Sequence, residues 1–191
     1  MLQIVLIRPG STEYDHQGRI QGTLDIPLSR EGHEQVAGCI ERLREQPIEV
    51  IYFTPSESAR QTAEAVCKAL NLKPRKLDKL HNLDQGLWQG MLIEDVKVKQ
   101  PKVYRRWQEQ PEKVCPPGGE MVAAAKERVK QTLTKIAKKH KDGVIGLVAP
   151  EPLASLVCNI LRNDELADFW KPADRCRWDI LRVEPDAATH E

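Results

Sequence analysis

Leu6-Ile7-Arg8-Pro9-Gly10-Ser11-Thr12-Glu13-Tyr14 is the stretch that decides how the rest of the chain is read. It closes a short apolar run, Leu2 to Ile7, broken only by Gln3, of the kind that forms a strand buried on both faces. The run stops at Arg8-Pro9-Gly10, because proline has no N–H for a ladder and glycine permits a tight turn. One arginine and two hydroxyls, Ser11 and Thr12, then sit on a turn whose backbone N–H groups can hold an anion. Taken alone, the fragment better suits a surface turn whose arginine pairs with a nearby carboxylate.

Outward from this turn, short apolar runs alternate with segments of helical period. Ser29 to Arg44 reads as a helix capped by Ser29, with Val36, Ile40 and Leu43 on one face. Val50 to Phe53 reads as a strand and Glu57 to Leu70 as a helix. Leu77 to Gly90 is irregular, and Glu94 to Trp107 is helical but divided by Pro101. Pro116-Pro117-Gly118-Gly119 is a turn before the longest helix, Glu120 to Lys139. Gly143 to Ala149 is a strand, Pro152 to Leu161 a helix with proline in its first turn, and Trp178 to Val183 a last strand. Strand-then-helix alternation predicts a three-layer α/β/α sandwich, a mostly parallel sheet flanked by helices. Ligands of such sheets bind beyond the carboxyl ends of the strands, at the loops after Ile7 and after Ala149.

With 191 residues the chain suits one domain, expected over 1–184, followed by a polar, frayed tail over 185–191. The formal net charge is +1, from 29 basic and 28 acidic residues, which argues against a nucleic-acid binder. The one basic stretch, Lys126 to Lys141, reads as the solvated face of a helix. No run is apolar enough for a membrane span, and the start lacks the pattern of a signal peptide. The five cysteines (39, 67, 115, 158 and 176) have no metal-ligand spacing and are expected to be reduced, in the cytoplasm.

The pattern as a whole resembles the histidine phosphatase (phosphoglycerate mutase-like) superfamily, in its cobalamin-pathway phosphatase-like branch. Leu6 to Tyr14 is similar to the signature L-x-R-H-G-x-[ST]-E-W. Gly18-Arg19-Ile20-Gln21-Gly22, Asp25-Ile26-Pro27-Leu28-Ser29 and Gly32 resemble G-R-x-Q-G-x-x-D-x-P-L-[ST]-x-x-G. Tyr52-Phe53-Thr54-Pro55 with Ser58-Ala59-Arg60-Gln61-Thr62-Ala63 looks like the next block, and Leu83 to Gly90 resembles [IL]-D-F-G-x-W-E-G. Pro116 to Glu120 matches P-x-G-G-E, and Val148-Ala149-Pro150-Glu151 stands in place of V-[SA]-H-G. The matches run in order across nearly the whole chain. The resemblance implies the α/β/α fold, and a family chemistry in which one histidine attacks phosphorus, a second histidine and two arginines hold the phosphoryl oxygens, and a glutamate protonates the leaving oxygen.

Carried over position by position, that chemistry fails. The arginines are present as Arg8 and Arg60, beside Gly10, and guanidinium forks suit phosphate oxygens. The nucleophile position is Pro9 and the second histidine position is Pro150; neither side chain can attack phosphorus or donate a hydrogen bond. The acid position is Asn82, whose amide has no proton to give at a useful pKa. The family's phosphate-contacting asparagine is Asp15, and the glycine after the second histidine is Glu151. Asp15 and Glu151 are therefore expected to neutralise the old anion site, with Glu151, together with Asp15, occupying it and pairing with the arginines. Arg19, Gln21 and Gly22 match a substrate-side loop; His81 is the best-placed substitute nucleophile, ahead of His16, His33 and His140; Trp88 is a candidate pocket wall, while packing is the commoner explanation for Trp88, Trp107, Trp170 and Trp178 alike.

The expectation is a catalytically inactive relative, a pseudophosphatase, acting through a small ligand, an unknown protein partner or pairing with another copy. No metal or cofactor is implied, nor nucleic acid or membrane. The alternative is an active phosphohydrolase or phosphomutase with a non-standard nucleophile.

Overall fold

The computed structural model describes residues 1–163, 166 and 176–183. The expected frayed tail, 185–191, and Trp170 lie outside the described residues. Five strands form one sheet: β1 (Gln3–Ile7), β2 (Val50–Phe53), β3 (Pro74–Lys76), β4 (Val144–Val148) and β5 (Trp178–Arg182), in the order β3-β2-β4-β1-β5. The pairs β1–β4, β2–β4 and β2–β3 are parallel, and β5 runs antiparallel to β1 at the edge.

The central strands are apolar apart from Gln3 at the start of β1, because helices cover both faces. Along β1, Ile4 and Leu6 join one core and Val5 and Ile7 the other, following the two-residue period of a strand. On the Val5 face lie α2 (Arg30–Leu43) and α3 (Glu57–Leu70), through Val36, Cys39, Leu43, Ala59, Ala63 and Val66. On the Leu6 face lie α6 (Val122–Lys139) and α7 (Leu153–Arg162), through Val129, Leu133, Ile136, Leu153, Leu156 and Val157. The short helices α4 (Ile93–Lys99) and α5 (Pro101–Glu109) meet at Pro101, and α5 sends Trp107 into the same core. The architecture is the expected three-layer α/β/α sandwich.

Local chemistry sets the boundaries. Ser29 caps α2 by accepting from Gly32 N, and Ser56 caps α3 by accepting from Ala59 N. Two elements were not expected. The first is α1 (Glu13–Gln17), a five-residue turn of helix closed by a capping box between Thr12 and Asp15. The second is β3, whose Pro-Arg-Lys sequence carries no strand signal and pairs only at the sheet edge. Gly10 and Gly32 let the first loop cross α2: a Cβ on Gly10 would lie 2.3 Å from Gly32 O, and one on Gly32 2.1 Å from Ser11 O.

Candidate functional site

The parallel pairing of β1 with β4 sets the loop after Ile7 beside the loop after Val148, since Ile7 and Val148 are register partners. Pro9 and Pro150 each follow two residues later and both line a cleft of about 130 Å³. Gly10, Thr12, Tyr14, Asp15, Arg19, Ile20, Gln21, Gly22, Ser58, Gln85, Ile93 and Glu151 complete most of its wall. Most of these come from the loops beyond the strands' carboxyl ends.

Arg8 lies under this cleft, 8% exposed. Its Nε donates to Glu151 Oε1 at 2.6 Å and its Nη1 to Asp179 Oδ2 at 2.7 Å. Glu151 is fixed in turn, its Oε2 accepting from Ser155 N at 3.0 Å and Ser155 Oγ at 2.6 Å in the first turns of α7. Burial opposes the charge on Arg8, but the adjacent charges of Glu151 and Asp179 and their hydrogen bonds outweigh it and raise its pKa. Asp179 was not anticipated from the sequence. It reaches Arg8 because the antiparallel register of β5 pairs it with Leu6, a long-range placement without a local signal.

Arg60 is placed differently. It stands on α3, 43% exposed at its side chain, between Glu57 and Glu64 one turn to either side. Its Nε donates to Glu57 Oε2 at 2.9 Å and its Nη1 to Glu64 Oε1 at 2.6 Å. Its hydrogen bonds to the Glu57 and Glu64 carboxylates raise its pKa. The expectation that Glu151 pairs both arginines is therefore corrected: Glu151 takes Arg8, and Arg60 is held by its own helix. The signal for this was present, because Glu57 and Glu64 lie at i−3 and i+4 from Arg60.

Asp15 lines the cleft. Its Oδ2 accepts from Thr12 N at 2.7 Å and Thr12 Oγ1 at 2.9 Å, so the carboxylate serves the α1 cap. Asn82, at the acid position, ties the loops together. Its Nδ2 donates to Gly22 O and Glu151 O, each at 3.0 Å, while Oδ1 accepts from Leu83 N at 2.9 Å and Leu153 N at 3.3 Å.

His81 is not among the residues lining the cleft; its Nδ1 meets Asn82 O at 2.9 Å, and Arg128, paired with Glu120, donates to its carbonyl. That geometry gives no support to His81 as a substitute nucleophile. Trp88 is 3% exposed and packs edge-to-face on Trp107, with ring centroids 5.8 Å apart, so it is core and not pocket wall. Arg19 does face the cleft, yet its Nη1 donates to Gly90 O at 2.6 Å and its Nε to Gln17 Oε1 at 2.7 Å. Gln21 accepts from Thr12 Oγ1 at 3.3 Å, and Gly22, at φ +56, leaves room for the side chain of Gln89. Sequence reasoning also passed over Gln85, a buried amide on the cleft wall.

A profile of the histidine phosphatase superfamily (branch 1) matches residues 4–191. The chain belongs to that superfamily. Phosphoserine phosphatase 1 of Hydrogenobacter thermophilus is 34% identical over 186 residues, covering 96% of this chain and 88% of that protein. The metal-independent phosphoserine phosphatase of Arabidopsis thaliana is 32% identical over 144 residues, 73% of this chain and 60% of that protein. Among solved structures, a mycobacterial glucosyl-3-phosphoglycerate phosphatase superposes with a TM-score of 0.84 at 24% identity, over 94% of this chain and 92% of that one. A putative α-ribazole-5′-phosphate phosphatase of Escherichia coli gives 0.81 at 22%, over 95% of each chain. These two superpositions establish the phosphoglycerate mutase-like fold. No described helix is long and apolar enough to cross a membrane, and no described group of His, Cys, Asp and Glu is arranged to hold a metal ion.

Proposed function

We propose that this superfamily member is a pseudophosphatase: a protein that has lost phosphoryl transfer and acts by binding. One observation carries the reading. At the point where β1 and β4 end side by side, the two histidine positions are Pro9 and Pro150, and the arginine beneath them is spanned by Glu151 and Asp179. Phosphoryl transfer needs a nucleophile in line and positive charge on the equatorial oxygens. Proline supplies no lone pair. Arg8 is engaged by two carboxylates, Glu151 and Asp179, the latter shared with Arg162 at 3.8 Å and Arg177 at 3.6 Å, so its attraction for a dianion is reduced. A unit pair at about 4 Å in a medium of dielectric near 20 is worth roughly 4 kcal/mol, so each carboxylate offsets an attraction of that order. The position of the acid is an amide whose donors and acceptor are all engaged.

The binding role runs through the remodelled cleft or a protein surface, with an unidentified protein partner or a second copy as the occupant of the latter. None of the five cysteines is in a disulfide, which supports a reducing compartment such as the cytoplasm. The relatives at 34% and 32% identity are named as phosphoserine phosphatases, and this makes O-phosphoserine the substrate to try first.

The test is steady-state hydrolysis of O-phosphoserine and of an aryl phosphate, with an Arg8→Ala control. The expected result is no phosphate release above the control. Turnover that disappears in the Arg8 variant would establish the alternative, an enzyme with a non-standard nucleophile.

A further inference from the structure

Two thiols meet on the Val5 side of the sheet. Cys39 lies on the buried face of α2 and Cys176 just ahead of β5; they are 2% and 3% exposed and share a core with Val36, Leu43 and Phe53. Cys39 Sγ donates to Cys176 O at 3.0 Å, across 137 positions of sequence, and neither cysteine is in a disulfide. A hydrogen bond from the Cys176 side chain pulls the Cys39 thiol below its ordinary pKa; burial opposes this, and the Arg42 charge adds to it. Burial pushes Cys67 the other way, to about 11, and is the main reason that Cys158 is raised. The thiolate is the nucleophilic form of cysteine, so of these three helical thiols Cys39 is the one set up to react. The backbone adds a second sign. Cys176 sits at φ +52, a conformation that side chains rarely adopt. Packing alone does not require sulfur at a position where any side chain is strained. The same short segment is stitched to the loop under the cleft: Arg8 N donates to Arg177 O at 3.0 Å, and Cys176 N to Pro9 O at 3.4 Å.

We propose that Cys39 and Cys176 are a redox pair, a site at which a peroxide converts two thiols into a disulfide that ties α2 to the entry of β5. The Cys39 thiolate attacks one peroxide oxygen; the S–O bond forms, the O–O bond breaks, and the departing hydroxide takes up the thiol's proton as water. The Cys176 sulfur then attacks the Cys39 sulfenic acid; the S–S bond forms, the S–O bond breaks, and the second hydroxide leaves as water with the Cys176 proton. Two thiols and one peroxide give one disulfide and two waters, the sulfurs losing the two electrons that the peroxide gains. Burial of both sulfurs restricts the oxidant to a small one. The bond constrains the unfolded chain and, in the folded one, braces the segment that leads to Asp179, the partner of Arg8. None of this depends on whether the cleft is catalytic.

The experiment uses the full chain, reduced and folded, exposed to hydrogen peroxide without denaturant and then alkylated in urea. The monomer band of a non-reducing gel is mapped by mass spectrometry. The expected product is a Cys39 peptide joined to a Cys176 peptide with loss of two hydrogens, in excess of any other pair within the chain. Cys67 and Cys158 are expected as alkylated thiols, and a dithiol should reverse the bond. The cross-linked chain is expected to melt about 5–15 °C higher than the reduced one. Cys39→Ser and Cys176→Ser are each expected to lose both the product and the shift. The exposed Cys115 calibrates the oxidant. A Cys39 that stays a thiol where Cys115 is oxidised, a Cys39 carried on to sulfinic acid without the bond, a different dominant pair, or a cross-linked chain that melts no higher than the reduced one overturns the proposal.

Discussion

Arg8 and Glu151, 143 positions apart in sequence, meet at 2.6 Å, and the same carboxylate is anchored through its other oxygen to Ser155 at the start of α7. The contact joins the first strand's end to the loop after β4. It also places a carboxylate against the arginine that a phosphate would need.

Replacing Glu151 tests both consequences. Glu151→Gln leaves Arg8 with Asp179 alone in a largely buried setting. Removing one member of a buried pair typically costs about 3–5 kcal/mol, and the remaining Asp179 should hold the loss to about 1–3 kcal/mol. Urea unfolding measures it. The freed guanidinium is also expected to bind inorganic phosphate, so that phosphate raises the melting temperature of the variant and leaves the parent unchanged. A variant indifferent to phosphate would mean that Glu151 is not what excludes the anion.

Arg60 predicts a pH dependence of its own. Hydrogen bonds from Arg60 hold the Glu57 carboxyl below its ordinary pKa; partial burial opposes this, and the Arg60 charge adds to it. Since the folded value is depressed, the unfolded chain binds more protons in the acid range, and stability rises with pH there. The contribution is fully present above about pH 4.3, the ordinary glutamate value, and is lost as pH falls through the lower folded value. Exposure limits it to about 1 kcal/mol or less. Glu57→Gln is expected to flatten the stability profile below about pH 4.3 and leave its slope near neutrality unchanged, as followed by urea midpoints across pH.

Asn82 is expected to be a structural residue, not a catalytic one. Asn82→Ala strands two carbonyls, of Gly22 and Glu151, and two N–H groups, of Leu83 and Leu153. At about 1 kcal/mol net for each hydrogen bond, the loss should be about 2–4 kcal/mol. Asn82→Asp keeps the acceptor for Leu83 and Leu153 and should fall between the two. Equal stability of all three proteins in urea would contradict the bridging role.

Much of this was legible in the sequence, and the exceptions share a cause. Leu2 to Ile7, Val50 to Phe53 and Val144 to Val148 are apolar on both faces, so burial alone identifies them as strands. The helix α2 announced itself by its cap, Ser29. Glu151 was recognisable as a partner of Arg8 because both occupy strand ends that a parallel sheet brings together. Asp179 was not, because its place depends on an antiparallel register that no local residue encodes. Arg60 was misjudged for the opposite reason. A long-range role assigned by resemblance was preferred to the i−3 and i+4 carboxylates on its own helix, which are legible from spacing alone. Trp88 likewise sits in a matching loop, but its indole is large enough to reach Trp107 in the core.

On the proposed reading, installing phosphoryl transfer is harder than the substitutions at the two prolines suggest. Pro9→His, Pro150→His and Asn82→Glu together would supply a nucleophile, a second histidine and an acid. The triple variant is nevertheless expected to release no measurable phosphate. Arg8 would still be spanned by Glu151 and Asp179, and Arg60 would still be clamped by Glu57 and Glu64 on the outside of α3. Asn82→Glu would also break the bridge that holds Glu151 O, Gly22 O and Leu153 N around the cleft. Adding Glu151→Gly removes one carboxylate from Arg8, and Glu57→Ala with Glu64→Ala frees Arg60 to turn inward. Activity on an aryl phosphate is expected only when these accompany the two histidines, and it should be highest in the background that keeps Asn82. A triple variant that hydrolyses the ester at a substantial rate would mean that the prolines alone silence the site and that the carboxylates around Arg8 and Arg60 do not hold phosphate away.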